Sequence, residues 1–142
     1  PIVRHSIENW YEIMQVNINA PFLLTQACLG ALDQQQQTAL IFVDDKPKLD
    51  DMAFWGAYGV AKFALEGLMH TVSCEVESNT HCQVLCYDPG PLPTKLLSRI
   101  IPAAKIEDLP TMDNAIDDIM WLLACQSRTY HGKSLKKGFR KQ

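Results

Sequence analysis

Tyr58 and Lys62 lie four residues apart in the segment 55–62, and at helical spacing their phenol and ammonium groups share one face. A lysine charge beside a phenol favours the phenolate and lowers the phenol pKa from about 10, which allows proton transfer at neutral pH. The pair therefore predicts an acid that protonates a carbonyl group. The same spacing also occurs in ordinary exposed helix pairs, so other segments of the chain must distinguish the two interpretations.

Two such segments flank the pair. Upstream, Trp10 precedes Asn17 by seven residues, and downstream the turn Asp88-Pro89-Gly90 is followed by Thr94. In this order and at these spacings the three segments resemble the second half of the short-chain dehydrogenase/reductase family. The resemblance covers most of the chain and implies a partial, doubly wound Rossmann-like α/β fold of about three parallel strands with flanking helices.

The resemblance also implies roles for individual residues. Tyr58 would protonate the substrate, Lys62 would tune Tyr58 and hold the cofactor ribose, and Asn17 would anchor a proton-relay water. The cofactor would be NAD or NADP, and the substrate a small molecule with a carbonyl or alcohol group. The implied cofactor-binding residues are Lys62, Pro89, Gly90 and Thr94.

The family's catalytic serine, thirteen residues before the tyrosine, corresponds to Asp45. The family serine donates a hydrogen bond to the substrate carbonyl oxygen, and losing such a donor costs about 100-fold to 1000-fold in rate. An ionised aspartate offers only acceptors, repels a developing alkoxide and raises the phenol pKa that Lys62 lowers. A protonated Asp45 in an apolar site could still donate. We therefore expect impaired activity.

The glycine-rich turn that binds a dinucleotide pyrophosphate does not occur in this sequence. None of the seven glycines forms that pattern: they are Gly30, Gly56, Gly59, Gly67, Gly90, Gly132 and Gly138. We interpret residues 1–142 as a single domain equivalent to the family's C-terminal half, a truncated Rossmann fold whose cofactor binding is doubtful. Pro1 could follow a removed methionine or begin a piece of a longer protein.

Composition indicates an ordinary globular domain, with 47% hydrophobic residues, 20% charged residues and a formal net charge of −3. The sequence shows no membrane span and no signal segment, which favours a cytoplasmic location. The scattered histidines and the five cysteines lack metal-ligand spacing, so we expect no metal site and buried, reduced thiols. The basic C-terminus, from Lys133 to Lys141, is typical of a solvated tail, and we expect no nucleic-acid binding.

Hydrophobic periodicity predicts alternating helices and strands, and hence a parallel sheet. A loop over Pro91–Pro110, with a short helix near Thr94–Ile100, corresponds to the family's substrate lid. The predicted elements are helices from about Ser6 to Leu32, Trp55 to Ser78 and Thr111 or Asp113 to Cys125, with Trp121 in the core, and strands Ala39–Val43, His81–Tyr87 and Lys133–Phe139.

The strand Ala39–Val43 would leave an apolar sheet edge, which proteins seldom expose. A missing N-terminal half or another copy of the chain would cover this edge. Family members commonly dimerise through the helices equivalent to 10–32 and 55–78, so we expect a homo-oligomer. Two functions remain open: an impaired NAD(P)-dependent oxidoreductase, or an inactive pseudoenzyme that acts as a dimerising scaffold or interaction module.

Overall fold

The computed structural model describes residues 1–32, 37–77, 81–100, 109, 111–124 and 128–141. Helix α1 is followed by a π-helical turn and by α2, and three strands then alternate with helices. The helices are α1 Ile7–Met14, α2 Ala20–Leu32, α3 Gly56–Glu75, α4 Lys95–Ile100 and α5 Met112–Ala124, and the strands are β1 Thr38–Val43, β2 Cys82–Asp88 and β3 Ser134–Lys136. The π turn is Gln15–Asn19, and 3-10 turns occupy Ile2–Arg4, Leu49–Asp51 and Phe139–Lys141.

The three strands form a parallel sheet in the order β1-β2-β3. The register pairs Thr38 with Cys82 and Val43 with Tyr87, so β1 and β2 end side by side. Strand β3 pairs with the last residues of β2, from Cys86 to Asp88. The segments that follow β1 and β2 therefore begin at the same edge of the sheet, which is where ligands bind in open α/β folds.

Strand β2 is buried on both faces, and its alternate residues divide the core into two clusters. One cluster lies against α3 and contains Phe42, Leu65, Met69, Val72, Cys82, Val84 and Cys86. The other lies against α5 and contains Leu85, Tyr87 and Leu122, with Ile119 and Phe139 packed around it. Burial on both faces explains why this strand has a continuous apolar sequence.

The predicted α/β architecture is confirmed, and most element boundaries agree within a few residues. The Ser6 hydroxyl caps α1 by accepting the Asn9 N–H at 3.2 Å. The predicted single helix from Ser6 to Leu32 was wrong in one respect, because a π turn interrupts it. The last strand is also shorter than predicted, since Gly138 adopts a left-handed conformation with φ +84° beyond it. Gln34–Gln36, Ser78, residues 101–108 and 110 of the predicted lid, and Cys125 lie outside the described residues.

The cysteine prediction was correct for only part of the set. Cys82 and Cys86 are buried free thiols, and burial raises the pKa of Cys86 to about 12. Cys28 and Cys74 are exposed, contrary to prediction. Trp121 is 37% exposed rather than a core residue, and it packs on the rings of Tyr130 and Phe139. No helix in the described part of the chain is both long and apolar enough to cross a membrane.

Strand β1 has a strand neighbour on one side only within the described residues. Beside it, an apolar groove of about 260 Å³ runs between β1 and α2 and is lined by Pro21, Leu24, Thr25, Cys28, Leu40, Ile41, Phe42, Val43 and Leu65. The apolar edge predicted from the sequence is therefore present. Helix α3, in contrast, packs against both the sheet and α1.

Asp118 on α5 joins the second cluster to the C-terminus. It accepts hydrogen bonds from the Tyr87 hydroxyl at 2.7 Å and from Arg140 Nε at 2.8 Å. Burial acts to raise the pKa of Asp118, but these two donors outweigh it and lower the pKa overall. Arg140, expected in a solvated tail, thus pairs with a buried carboxylate.

We predict that Asp118→Ala lowers the free energy of unfolding by about 2 kcal/mol, because it leaves the buried Tyr87 hydroxyl without an acceptor. Chemical denaturation measures the loss. Asp117→Ala, an exposed change on the same helix, is the control and is expected to alter stability by less than about 0.5 kcal/mol. Equal effects of the two substitutions would contradict a specific role for Asp118.

Candidate active site

The Asp45 carboxylate lies between the two residues that the sequence predicts to be catalytic. The Tyr58 hydroxyl is 2.8 Å from Asp45 Oδ1 and 2.7 Å from Oδ2. Lys62 Nζ is 2.9 Å from Oδ1 and 5.2 Å from the centroid of the Tyr58 ring. Tyr58 and Lys62 share a face of α3, and Asp45 reaches them from the loop after β1. The structure therefore brings these three residues into direct contact.

Lys62 is buried, with 9% of its surface exposed, whereas the Asp45 side chain is 45% exposed. A buried ammonium needs a paired charge or hydrogen-bond acceptors, since desolvation penalises the charged form. Asp45 supplies that partner. Both oxygens of its carboxylate contact the Tyr58 hydroxyl, and Oδ1 also contacts Lys62, while almost half of the side chain is exposed to solvent.

Tyr58 is held as a neutral hydrogen-bond donor. Burial raises its pKa above the ordinary value, and the hydrogen bond to Asp45 and the negative charges of Asp45 and Asp44 raise it further. The prediction that Lys62 lowers this pKa was wrong for the net effect, because burial and the contact with Asp45 both raise it. Tyr58 therefore directs its proton towards Asp45, and it is a poorer acid than the Tyr–Lys spacing alone predicts.

Asp44, next to Asp45, is a second carboxylate and is only 3% exposed. Its Oδ1 atom is buried without a hydrogen-bond partner, and its backbone N–H donates to the Tyr87 carbonyl at 2.9 Å. Burial raises the pKa of Asp44 to about 6, although the Lys62 charge acts to lower it. Two carboxylates thus face one ammonium at this site.

Neighbouring contacts fix the loop that carries Asp45. Lys46 pairs with Glu66 on α3, and Glu66 also accepts a hydrogen bond from the Ser134 hydroxyl on β3. The Trp55 ring stacks on Tyr58, with centroids 6.0 Å apart and an interplanar angle of 26°. Lys46 acts to lower the pKa of Asp44, but its ion-pair partner is Glu66.

Asn17 lies in the π turn, which packs against α3. Its Nδ2 donates to the Ile13 carbonyl at 3.0 Å, within its own helix. This bond occupies part of the side-chain amide and fixes its orientation. Asn17 is therefore positioned by an irregular helical turn that periodicity alone does not predict, and it stays a predicted catalytic residue.

Of the predicted cofactor residues, Pro89, Gly90 and Thr94 follow β2. Asp88 Oδ1 accepts the Gly90 N–H at 2.8 Å, and Thr94 Oγ1 accepts the Leu97 N–H at 3.2 Å at the start of α4. Gly90 has φ +71°, and the space where a Cβ would lie is open to 4 Å. The nicotinamide and ribose end of a dinucleotide suits these residues, which offer the Thr94 hydroxyl, the open space at Gly90 and the N–H donors of Lys62. No glycine-rich turn in the sequence suits its pyrophosphate.

The sequence interpretation did not assign a role to Asp44. The sequence nevertheless contains a signal for such a role, because Asp44 and Asp45 directly follow a buried strand at the ligand-binding edge of the sheet. Among the described residues, no cluster of three or more His, Cys, Asp or Glu side chains could hold a metal ion.

We predict that Asp44→Asn stabilises the protein by up to about 3 kcal/mol at pH 8, the equivalent of its pKa rise from 3.8 to about 6. A raised carboxyl pKa means that the folded state binds the proton more tightly. The native protein therefore loses stability as pH rises from about 4 through about 6, and the gain from Asn is absent below pH 4.

Thermal unfolding of both proteins between pH 4 and pH 8 measures this difference. Asp50→Asn, an exposed change on the same loop, is the control and is expected to give a flat difference. A gain from Asp44→Asn that does not change with pH would contradict the burial of an ionised Asp44.

Comparisons with known proteins identify the family. The profile of the family described as short chain dehydrogenase matches residues 1–105. A curated relative, the uncharacterized oxidoreductase YciK of Escherichia coli strain K12, is 32% identical over 132 residues, which cover 93% of this chain and 52% of the relative.

Solved structures show the same similarity. A short chain dehydrogenase from Salmonella enterica serovar Typhi CT18 has a TM-score of 0.89 and 31% identity, over 97% of this chain and 56% of that one. One from Escherichia coli CFT073, complexed with NADPH, has a TM-score of 0.88 and 30% identity, over 97% and 57%. This chain thus spans about half the length of these relatives, and it belongs to the short chain dehydrogenase family.

Proposed function

We propose that this chain provides the catalytic side of an NAD(P)-dependent oxidoreductase site that is impaired towards carbonyl and alcohol substrates. The observation that carries the proposal is the direct contact of Asp45 with both Tyr58 and Lys62. The Tyr–Lys pair on α3 supports a proton-transfer site, while the carboxylate in place of a hydroxyl donor supports its impairment. We also propose that residues 1–142 form one domain that corresponds to the C-terminal half of the family fold.

The nicotinamide cofactor, when bound, supplies or accepts a hydride. On this chain, Lys62 would hold its ribose, and Pro89, Gly90 and Thr94 would hold its nicotinamide end. The NADPH complex of a similar dehydrogenase supports this class of cofactor. The pyrophosphate would need groups beyond a glycine-rich turn, which this sequence lacks.

The hydrogen-bond donors and acceptors of the site explain why carbonyl reduction would be impaired. A carbonyl substrate needs a hydrogen-bond donor at its oxygen as negative charge develops there. Asp45 offers only acceptors, and the Tyr58 proton is directed towards Asp45. A carbonyl would have to displace Asp45 from Tyr58 while leaving the buried Lys62 without its partner. Both steps oppose carbonyl reduction.

A pseudoenzyme that acts as a dimerising scaffold is the second candidate. One edge of β1 has no strand neighbour among the described residues, and this edge and its apolar groove favour the scaffold, because an exposed apolar edge recruits another chain. Exposed apolar residues on α2 extend the same surface, among them Phe22, Leu23 and Leu24. We therefore propose a homo-oligomer for either function.

We predict that Asp45→Ser increases the rate of NADPH-dependent carbonyl reduction by about 100-fold or more, because it restores the missing donor and releases the Tyr58 proton. NADPH binding is measured separately by fluorescence titration of the native and variant proteins. Asp51→Ser, on the exposed 3-10 turn, is the control and is expected to leave the rate unchanged.

The two readouts separate the candidates. Turnover that appears only in Asp45→Ser supports an impaired enzyme. Absence of NADPH binding at millimolar concentration in both proteins would contradict the oxidoreductase proposal and favour the scaffold.

We predict that the protein associates at micromolar concentration and that Leu24→Glu weakens association about tenfold or more, because it places a charge in the apolar groove. Analytical ultracentrifugation over a concentration series measures the effect. Leu49→Glu, a comparably exposed leucine outside the groove, is the control. A strictly monomeric mass for the native protein across this range would overturn the prediction.

A further inference from the structure

The hydrogen-bonding groups at the substrate position suit a substrate of different chemistry from the family's carbonyl. Where a carbonyl needs a donor, this site presents the carboxylate of the half-exposed Asp45 side chain, which is an acceptor with further lone pairs available. Acceptors select groups that carry N–H, and a negative site favours a cation. The contacts with Tyr58 and Lys62 fix the position of this carboxylate, which distinguishes it from a freely solvated surface group.

The local charges point the same way. Asp44 and Asp45 contribute two negative charges, and Lys62 contributes one positive charge that is already paired with Asp45. Lys46 also acts on Asp44, but its ion pair with Glu66 adds no net charge to the site. The second carboxylate, Asp44, is 3% exposed and has a buried oxygen without a hydrogen-bond partner. In a partly desolvated site, the excess of two carboxylates over one ammonium attracts a cation more strongly than it would in water.

We propose that this site binds an amine or its iminium ion, with a substrate N–H donating to Asp45, rather than an alcohol or ketone. The inference rests on the proposed oxidoreductase function and names the substrate class of the same site. Asp45 is the specificity-determining residue, since it accepts the N–H bond. The charge of Asp44 adds to the negative potential at the site.

The oxidation of an amine to its iminium ion needs no acid from the protein. When a neutral amine with an N–H is oxidised, one C–H bond breaks and its electron pair leaves as hydride to the oxidised nicotinamide dinucleotide. The nitrogen lone pair forms the new C=N bond, so the amine is oxidised to an iminium ion and the dinucleotide is reduced. A bound ammonium ion first releases one proton to water to give this neutral amine, and no proton moves in the hydride-transfer step itself. Tyr58 can therefore remain bound to Asp45 throughout, which the oxidation of an alcohol would not allow.

Binding alone tests the inference without any cofactor. We expect piperidinium, a ring cation with N–H donors, to bind the full chain about tenfold more tightly than cyclohexanone, a neutral ring of similar size. Ligand-observed NMR titration measures both affinities. Asp45→Asn and Asp45→Ser are expected to remove the preference, and Asp50→Asn, which removes an equal charge from the exposed 3-10 turn, is expected to leave it unchanged.

Two results would overturn the inference. One is equal affinity for piperidinium and cyclohexanone in the native protein. The other is loss of the preference in Asp50→Asn to the same degree as in Asp45→Asn, which would show a general effect of negative charge. Circular dichroism of each variant confirms that it is folded, so that a lost preference reports on the site.

NADPH titration distinguishes this inference from the proposed function. Selective cation binding without NADPH binding would support the cation site and contradict the oxidoreductase. NADPH binding without cation preference would support the oxidoreductase and contradict the amine class. If both bind, turnover of a cyclic amine with NADP but not of the matching alcohol is the expected result, and turnover of the alcohol alone would contradict the inference.

Discussion

The buried ammonium of Lys62 is the constraint around which this site is organised. A buried charge must be paired, and Lys62 has Asp45 as its ion-pair partner at 2.9 Å. The same carboxylate accepts the Tyr58 hydroxyl, so one side chain determines both the charge state of the phenol and the orientation of the ammonium. Changing Asp45 therefore alters the chemistry of both residues on α3.

The sheet makes this contact possible. Because β1 and β2 are parallel and in register, the residues after Val43 and after Asp88 emerge at the same edge. Helix α3 packs across the sheet and presents Tyr58 and Lys62 to that edge, and the Lys46–Glu66–Ser134 contacts hold the loop between them. The family fold thus places a carboxylate where a hydroxyl is expected, without any change of backbone architecture.

The sequence predicted what depends on local spacing. The shared face of Tyr58 and Lys62, the buried strands and the turn at Pro89 all follow from periodicity and from residue types. It could not predict effects that depend on contacts between distant residues. The burial of Asp44, the net rise in the Tyr58 pKa and the pairing of Arg140 with Asp118 arise only when separate elements meet. The π turn at Asn17 leaves no signal in apolar periodicity either.

The ionisation of Tyr58 tests the account most directly, because the Tyr–Lys pair alone and the pair with Asp45 predict opposite shifts. Tyrosine labelled with ¹³C at Cζ reports phenolate formation by NMR, and Tyr58→Phe assigns the signal. The account predicts that Tyr58 in the native protein titrates above the ordinary value of about 10 and that Asp45→Asn lowers its pKa. A native Tyr58 that titrates below about 10, or one that Asp45→Asn leaves unchanged, would contradict it.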